Sequence, residues 1–476
     1  MPSTNGPLAT PTTPEATRAP AAAAHPAGDA VARLVALHAA LDAAAPLANG
    51  RAWLGPLRAA GMARFALLGL PTPRDEAWRK TNLAPVVAAR FHAPPAPAMG
   101  ERLRRRLAEL LPDGPATCVM AFVDGHFAPD LSALDALPDG VTAVRLAAAA
   151  GGARDLALLH LGRHVDWERE AFAALNTAFM ADGALVHLAP GTRAEAPIHI
   201  VHLATAPAGS DGALAMTFPR ALVVAGAGSS ATVVETFAGM DAADEAGYLV
   251  VPVTEIVVED GAVLAHVKHQ DEGAGALHLA TLQVHQAGPS TFGTHAIDLG
   301  GRLVRNYAAI RIDAEGCETL LHGAYLVTQD HHVDNHTYLD HMKPNCHSYE
   351  RYKGILDDRA TAVFTGRIKV HQDAQKTDAV QENSAVLLSQ GAMVSTQPQL
   401  EIFADDVKCT HGATVGELAD DQLLYLRARG IPEAEARAML TFAFANEVVA
   451  SAPEAMRPHL EGRLRARLSA TTHAAG

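Results

Sequence analysis

The first part of the chain spaces its hydrophobic residues with the period of an α-helix. Val31, Leu34 and Leu41 recur three or seven positions apart, which places them on one helix face. Similar segments follow and predict a mainly helical region over residues 29–181. The Pro-, Thr- and Ala-rich residues 1–28 have the composition of a flexible leader.

The pattern changes at residue 182, where short segments rich in β-branched residues replace the helical spacing. Segments such as ALVHLAP, RALVVAGAG and LHLATLQVHQAG are separated by Gly, Asp and Pro, as strands are by turns. More than ten of them fit into about 230 residues with almost no helical segment between them, which argues against βαβ units. Residues 182–416 are therefore predicted to form a β core, for which the pattern favours a β-solenoid and a sandwich equally.

The last part of the chain, residues 417–476, returns to helical spacing. Asp420 or Asp421 can begin a helix and Gly430 can follow its end. Further on, Leu460 belongs to an apolar stripe that repeats every four residues. Such a stripe either packs on the body of the protein or binds a partner, and the packing interpretation is favoured.

Composition and charge exclude several classes of function. The 476 residues carry a net charge of −14, which argues against sequence-independent binding of nucleic acid. No apolar run approaches the roughly 20 residues of a membrane span, and the N-terminus lacks the pattern of a secretory signal. The four cysteines are far apart and none forms a C-x-x-C pair, so that a reducing, cytoplasmic location is expected.

The motifs of nucleotide enzymes are missing or out of context. AGAGSSA at 225–231 resembles a dinucleotide fingerprint, but strand-forming TVVETF follows it instead of the helix that would hold a pyrophosphate. Neither a P-loop motif nor a G-x-S-x-G motif occurs. These observations favour a non-enzyme.

Histidine is frequent, with 24 residues, and one segment concentrates it. The histidines between residues 331 and 347 are His331, His332, His336, His341 and His347. Imidazole and nearby carboxylates could bind zinc, iron or manganese. The alternative function is therefore a metal-dependent β-helix or cupin-like enzyme that uses this segment, although structural histidines are the favoured interpretation.

Residues 400–416, LEIFADDVKCTHGATVG, hold the sharpest candidate site. Cys409 and His411 are two positions apart and would project from one face of an extended strand. A thiolate and an imidazole suit iron or copper, but two ligands do not complete a tetrahedral site. The missing ligands must come from elsewhere in the chain or from another chain.

These residues lie within a longer segment that resembles the SufB/SufD family of iron–sulfur cluster assembly proteins. The similarity is dense over residues 343–431, which include QDAQKTDA, PQLEIFADDVKCTHGATVG and YLRARGI. The Cys-x-His-Gly-Ala-Thr pattern at 409–414 is SufD-like, whereas SufB members usually carry a Glu-His-Glu type pattern. RDEAWRKTNL at 74–83 is also similar to a family element, with Lys80 where a tyrosine is usual.

The resemblance implies a right-handed parallel β-helix core with helical regions on either side. It implies a non-catalytic scaffold that pairs with a SufB-like subunit and docks a SufC-type ATPase on its C-terminal helices. For the isolated chain, the resemblance leaves a homodimer as a possible state. The implied ATPase contacts are Tyr425, Leu426, Arg427, Arg429, Gly430 and Ile431. His411, with Cys409 beside it, would contribute to a transient iron–sulfur cluster shared with SufB, and no cofactor is expected to stay bound to the isolated chain.

Overall fold

The computed structural model describes residues 26–44, 52–112, 118–135, 137–206, 209–241 and 245–474. The predicted leader lies outside the described residues up to residue 25, and its last three residues begin the first helix. The helices are α1 Pro26–Ala44, α2 Gly55–Leu68, α3 Ala84–Ala88, α4 Glu101–Leu110, α5 Gly151–His160, α6 Ala171–Phe179, α7 Asp420–Ala428, α8 Glu433–Val449 and α9 Arg457–Ala474.

Apart from β1, which precedes α4, the strands lie between α4 and α7. They are β1 Phe91–His92, β2 Cys118–Val123, β3 His126–Phe127, β4 Val141–Arg145, β5 Ala184–Leu188, β6 Ile198–Ala204, β7 Leu214–Thr217, β8 Arg220–Ala225, β9 Ser230–Gly239, β10 Tyr248–Val250, β11 Val253–Val258, β12 Val263–Asp271, β13 Ala276–Gln286, β14 Thr291–Asp298, β15 Leu303–Ile312, β16 Glu318–Val327, β17 His332–His341, β18 His347–Leu356, β19 Thr361–Val370, β20 Asp378–Leu387, β21 Met393–Ile402 and β22 Lys408–Gly416.

Alternate strands belong to two different sheets, and this alternation defines a parallel β-helix of about seven turns. The first sheet follows the order β21-β19-β17-β15-β13-β11-β8-β5-β4, and the second follows β22-β20-β18-β16-β14-β12-β9-β6-β2-β3. Leu303 pairs with His332 and His332 with Thr361, so that each of these turns uses 29 residues. The solenoid prediction is confirmed and the sandwich interpretation is wrong.

The space between the two sheets, called the lumen below, is filled by every second side chain of each strand. Phe292 and Phe364 are among its fully buried side chains. A glycine turn joins β8 to β9, where Gly228 has a φ of 67° that a residue with a side chain rarely adopts. The segment at 225–231 is therefore a turn between two strands, as its sequence context indicates.

Helices cover the outer faces of both sheets. The N-terminal helices α1, α2 and α6 pack through Phe65 and Leu175 on outward residues of the first sheet such as Leu303. The C-terminal helices α8 and α9 pack on the second sheet, where Leu460 is completely buried. The packing interpretation of the C-terminal apolar stripe is thus confirmed. Within the described residues, no helix is both long and apolar enough to cross a membrane.

The two ends of the solenoid differ. At the N-terminal end the antiparallel strands β3 and β4 pair with β2 and β5 and complete the sheets. At the other end β21 pairs with β19 and β22 with β20, and in the described residues neither has a neighbour on its other edge. This second end, formed by β21 and β22, is called the open end below.

Candidate functional site

Cys409 and His411 both lie on β22, the last strand of the second sheet. Cys409 pairs in register with Ala379, and His411 pairs with Gln381. Ala379 and Gln381 are fully buried in the lumen. Because neighbouring parallel strands in register point corresponding side chains to the same face, both candidate ligands lie on the lumen side of the open end.

The two residues differ in exposure. Cys409 is half-buried, whereas His411 is exposed to solvent because no further turn covers it. Two positions along a parallel strand correspond to a rise of about 6.6 Å, so the two side chains project from the same face at neighbouring positions of that face. The structure therefore brings together the predicted pair but adds no third ligand, since the described residues contain no group of three or more His, Cys, Asp or Glu that could hold a metal ion.

Burial keeps the Cys409 side chain a thiol in the isolated chain. Desolvation raises the pKa of Cys409, and the charge of Asp378 raises it further, against a hydrogen bond from the backbone of Ala379. Lys408, the preceding residue, is exposed on the other face of the strand. Only a thiolate is a good ligand or nucleophile, so a bound cation is needed to favour the deprotonated form.

Two buried polar residues lie beneath His411 in the lumen. Gln381 donates a hydrogen bond of 2.7 Å from Nε2 to Oε2 of Glu350, and both residues are completely buried. Burial raises the pKa of Glu350 to about 7. The sequence did not predict these two residues, because a polar residue in a strand is expected to face solvent as long as the register of the strand is unknown.

The histidine-rich segment does not converge on one point. His332 and His336 point outward from the first sheet, where His336 Nε2 lies 2.9 Å from Oδ1 of Asp334. His341 lies on the opposite, lumen-facing side, 3.0 Å from the Oγ of Ser348. Alternating strand faces separate the imidazoles, and His347 is exposed on another strand of the second sheet.

Part of this segment instead docks the element at residues 74–83. Trp78 is buried, and the Arg305 guanidinium lies 3.9 Å from the centre of its ring. Thr81 donates a hydrogen bond to Asp334 and contacts His332 Nε2 at 3.2 Å. Lys80 reaches the last turn, where it hydrogen-bonds to the hydroxyl of Ser395.

The six C-terminal residues predicted to bind an ATPase lie on and just after α7. This helix has no buried residue. Tyr425 is 57% exposed, and the Arg429 guanidinium covers its ring at 4.3 Å. Gly430 follows the helix with a φ of 85°, as expected for a residue after a helix.

Leu424, which was not among the predicted contacts, is 67% exposed beside Tyr425. The remaining three residues are Leu426, Arg427 and Ile431, and Arg427 forms an ion pair of 3.2 Å with Glu433.

The open end also carries exposed hydrophobic side chains. Met393 and Phe403 are 63% and 61% exposed, and Ile402 and Val415 are 39% and 42% exposed. Unpaired strand edges next to apolar side chains are typical of a surface that another chain covers.

The fold defines the class: a parallel β-helix with helical regions on either side, which carries Cys409 and His411 on one face of its unpaired end. Comparison with known families identifies the family within this class. The model for the SUF system FeS cluster assembly SufBD core domain matches residues 206–444, and the model for the SufBD protein N-terminal region matches residues 47–200. The chain therefore belongs to the SufBD family.

Curated relatives cover most of the chain. An iron–sulfur cluster assembly SufBD family protein of Synechocystis is 32% identical over 85% of this chain and 88% of its own length. The iron–sulfur cluster assembly protein SufD of Escherichia coli is 31% identical over 84% of this chain and 90% of its own length. The SufD of Bacillus subtilis is 27% identical over 60% of this chain and 64% of its own length. The family resemblance inferred from the sequence is confirmed.

Proposed function

We propose that this chain is a non-catalytic scaffold subunit of a cytoplasmic SUF system, which contributes His411 and Cys409 to a nascent iron–sulfur cluster. The observation that carries the proposal is the place of these two residues on β22, where they share one face at the open end. Relatives named SufD support the assignment to cluster assembly. The cluster is the cargo of this site, and its remaining ligands would come from the partner.

The partner at the open end would be a SufB-like subunit. The free edges of β21 and β22 offer backbone groups for pairing with strands of a second chain. Met393 and Phe403 would supply the apolar contacts beside these edges. Covering the edge would also bury His411, and the lower dielectric would strengthen its interaction with a cation.

Within such an interface His411 and Cys409 would have distinct roles. The exposed His411 can offer a ring nitrogen to iron without moving other side chains. The raised pKa of Cys409 makes its thiol a ligand only once iron or a positively charged group of the partner lies beside it. The half-site would therefore form after the partner and iron have arrived, and not before.

The second partner would be a SufC-type ATPase on the C-terminal helices. Leu424 and Tyr425 are exposed on α7, which buries no residue, while α8 and α9 are anchored on the second sheet. An exposed aromatic residue beside a leucine on a rigid support has the character of a binding hot spot. The absence of a P-loop motif from this sequence is consistent with an ATPase on a separate chain.

The proposal is tested by co-expression with a SufB-like and a SufC-type protein, followed by anaerobic purification. Iron and acid-labile sulfide are measured in complexes with wild-type chain, His411→Ala, Cys409→Ala and the control His347→Ala. His347 is a suitable control because it is exposed on the same sheet, two turns away from β22. We expect all variants to assemble normally. His411→Ala should lose most of the cluster, whether or not Cys409→Ala loses it too. Unchanged cluster content in both site variants would contradict the proposal.

The alternative function, an enzyme that uses the histidines at 331–347, makes a different prediction. It requires stoichiometric metal in the isolated chain that is lost on replacing His332 and His336. Their hydrogen bonds to Thr361, Thr81 and Asp334 give both rings a structural role instead. We therefore expect these two replacements to lower stability and to leave the metal content of the isolated chain unchanged.

A further inference from the structure

Two of the four cysteines are stacked at one corner of the solenoid. Cys317 and Cys346 immediately precede β16 and β18, which pair in register from Glu318 and His347 onwards. The backbone N–H of His347 donates to the carbonyl of Cys317 at 2.9 Å. The two cysteines therefore occupy the same position in consecutive turns, and both are free and completely buried.

The two side chains converge on one backbone carbonyl. Cys317 Sγ lies 3.3 Å from the oxygen of Ala314, and Cys346 Sγ lies 3.2 Å from the same oxygen. The two thiols are also within hydrogen-bonding reach of each other. Adjacent strands of a sheet are about 4.8 Å apart, and a disulfide joins Cα atoms about 4.4–6.8 Å apart. A disulfide can therefore span the two turns without movement of the backbone.

Hydroxyl residues fill the same corner position in the neighbouring turns. Ser290 lies one turn before Cys317 and Thr377 one turn after Cys346, as the backbone hydrogen bonds between these turns show. Thr377 donates to the carbonyl of Ala374, three residues before it, at 2.8 Å. Cys317 repeats this local contact, whereas Cys346 turns towards the carbonyl that Cys317 uses. A hydroxyl group thus satisfies this corner, and the fold does not require two thiols that face each other.

One of the two thiols has the character of an attacking group. The hydrogen bond from the Cys346 thiol lowers the pKa of Cys317 to about 7, with help from Ser290 and against the effect of burial. The same hydrogen bond, together with burial, raises the pKa of Cys346. Gly316 and Asn345, the residues before the two cysteines, are exposed, so that only the turn separates the thiols from solvent. A small oxidant therefore has a short path to Cys317, and Cys346 lies beside it as a resolving thiol.

We propose that Cys317 and Cys346 are an oxidisable dithiol, which a peroxide converts into a disulfide between two consecutive turns. The Cys317 thiolate attacks one peroxide oxygen, the O–O bond breaks, and a sulfenic acid and one water molecule result. The Cys346 thiol attacks that sulfur, the S–O bond breaks, and its proton leaves with the second water molecule. Two thiols and one hydrogen peroxide thus give one disulfide and two water molecules, and a dithiol reductant reverses the change. The half-site at the open end uses neither residue, so the two proposals can fail separately.

The test uses the full chain with Cys409→Ser as the reference, so that the half-buried thiol of the open end does not react. The reduced protein is exposed to hydrogen peroxide well below its unfolding temperature, and free thiols are then alkylated and counted by intact mass. Linked peptides are identified by digestion and mass spectrometry. Two variants add Cys317→Ser or Cys346→Ser to the reference. The control adds Cys118→Ser, since Cys118 is also buried but lies on β2.

We expect the reference and the control each to lose two thiols to one link between Cys317 and Cys346, which dithiothreitol reverses. The oxidised reference should also melt at a higher temperature, because the link restricts the unfolded chain. The variants with Cys317→Ser or Cys346→Ser should form no disulfide and show no such shift.

Three results would overturn the proposal. The first is a reference that keeps its thiols at a peroxide concentration that fully oxidises free glutathione. The second is oxidation of Cys317 without a link to Cys346, and the third is a disulfide that involves Cys118. The linked peptides of the reference decide the question even if one serine variant fails to fold.

Discussion

Gln381 and His411 lie opposite each other on the adjacent parallel strands β20 and β22, one completely buried and the other exposed. Gln381 donates a hydrogen bond of 2.7 Å to Glu350. The lumen beneath His411 therefore holds a buried polar pair beside the apolar core against which Cys409 packs. Glu350 lies two turns away from β22. Its protonation should change the stability of the protein.

Glu350→Gln should make stability less dependent on pH. Burial raises the pKa of Glu350 to about 7, well above its value of about 4.3 in an unfolded chain. The unfolded state therefore loses this proton first as pH rises, so the wild type loses stability between about pH 4.3 and pH 7. A pKa difference of this size corresponds to about 4 kcal/mol. The free energy of unfolding is measured with denaturant at pH 5 and pH 8. Relative to the wild type, Glu350→Gln should be more stable at pH 8 than at pH 5. A difference between the two proteins that is the same at both pH values would contradict this.

Asp271→Asn should loosen the C-terminal helix. The Asp271 carboxylate is completely buried and forms ion pairs with Arg463 and Arg467 of α9 and with Arg106 of α4. Removing one partner of a buried ion pair typically costs about 3–5 kcal/mol. Hydrogen exchange of α9 and denaturant unfolding measure the loss.

The same substitution has a pH signature and a control. Its arginine partners hold the pKa of Asp271 well below its usual range. The stabilisation is thus present above the unfolded pKa of about 3.9 and decreases as pH falls below it. Asp406→Asn is the control, because Asp406 and its partner Lys376 are more than 60% exposed and such pairs contribute little. Equal effects of the two substitutions would show that the Asp271 cluster does not anchor α9.

Phe403→Lys should weaken binding of a SufB-like partner. Phe403 is 61% exposed at the open end, and a buried lysine without a counter-charge is costly at an interface. We expect at least tenfold weaker association in a pull-down titration or by biolayer interferometry. The control is Leu67→Lys on α2, where Leu67 is 78% exposed on another face. If both variants bind equally well, the open end is not the interface.

Tyr425→Ala should weaken binding of a SufC-type ATPase. Truncating an aromatic hot spot typically costs 2 kcal/mol or more, which corresponds to about a thirtyfold change in Kd. Because α7 contributes no buried residue, thermal stability should stay unchanged. Leu159→Ala on α5 is the control, since Leu159 is 65% exposed. Wild-type affinity of Tyr425→Ala would place the ATPase on another surface.

Local pattern was enough to predict the strands after residue 182 and the helices that follow them, whereas β1 to β4 lie within the region predicted to be mainly helical. The β-branched segments after residue 182 and the stripe that contains Leu460 each follow the period of one element, which depends only on backbone geometry. The motif around Cys409 and His411 carried the family resemblance for a similar reason, since both residues and their strand lie within one short segment. The roles of these two residues stay predictions.

Only the tertiary structure decided what each face of the strands touches. Pattern favoured solenoid and sandwich equally, because both bury alternate residues, and the pairing of Leu303 with His332 distinguishes them. Register likewise places Gln381 and Glu350 beneath His411, although 61 residues separate Glu350 from it in sequence. The meeting of Cys317 with Cys346 depends on the same register of consecutive turns. Side chains that meet across turns are determined by the addition of many weak packing contacts, and no local segment contains that information.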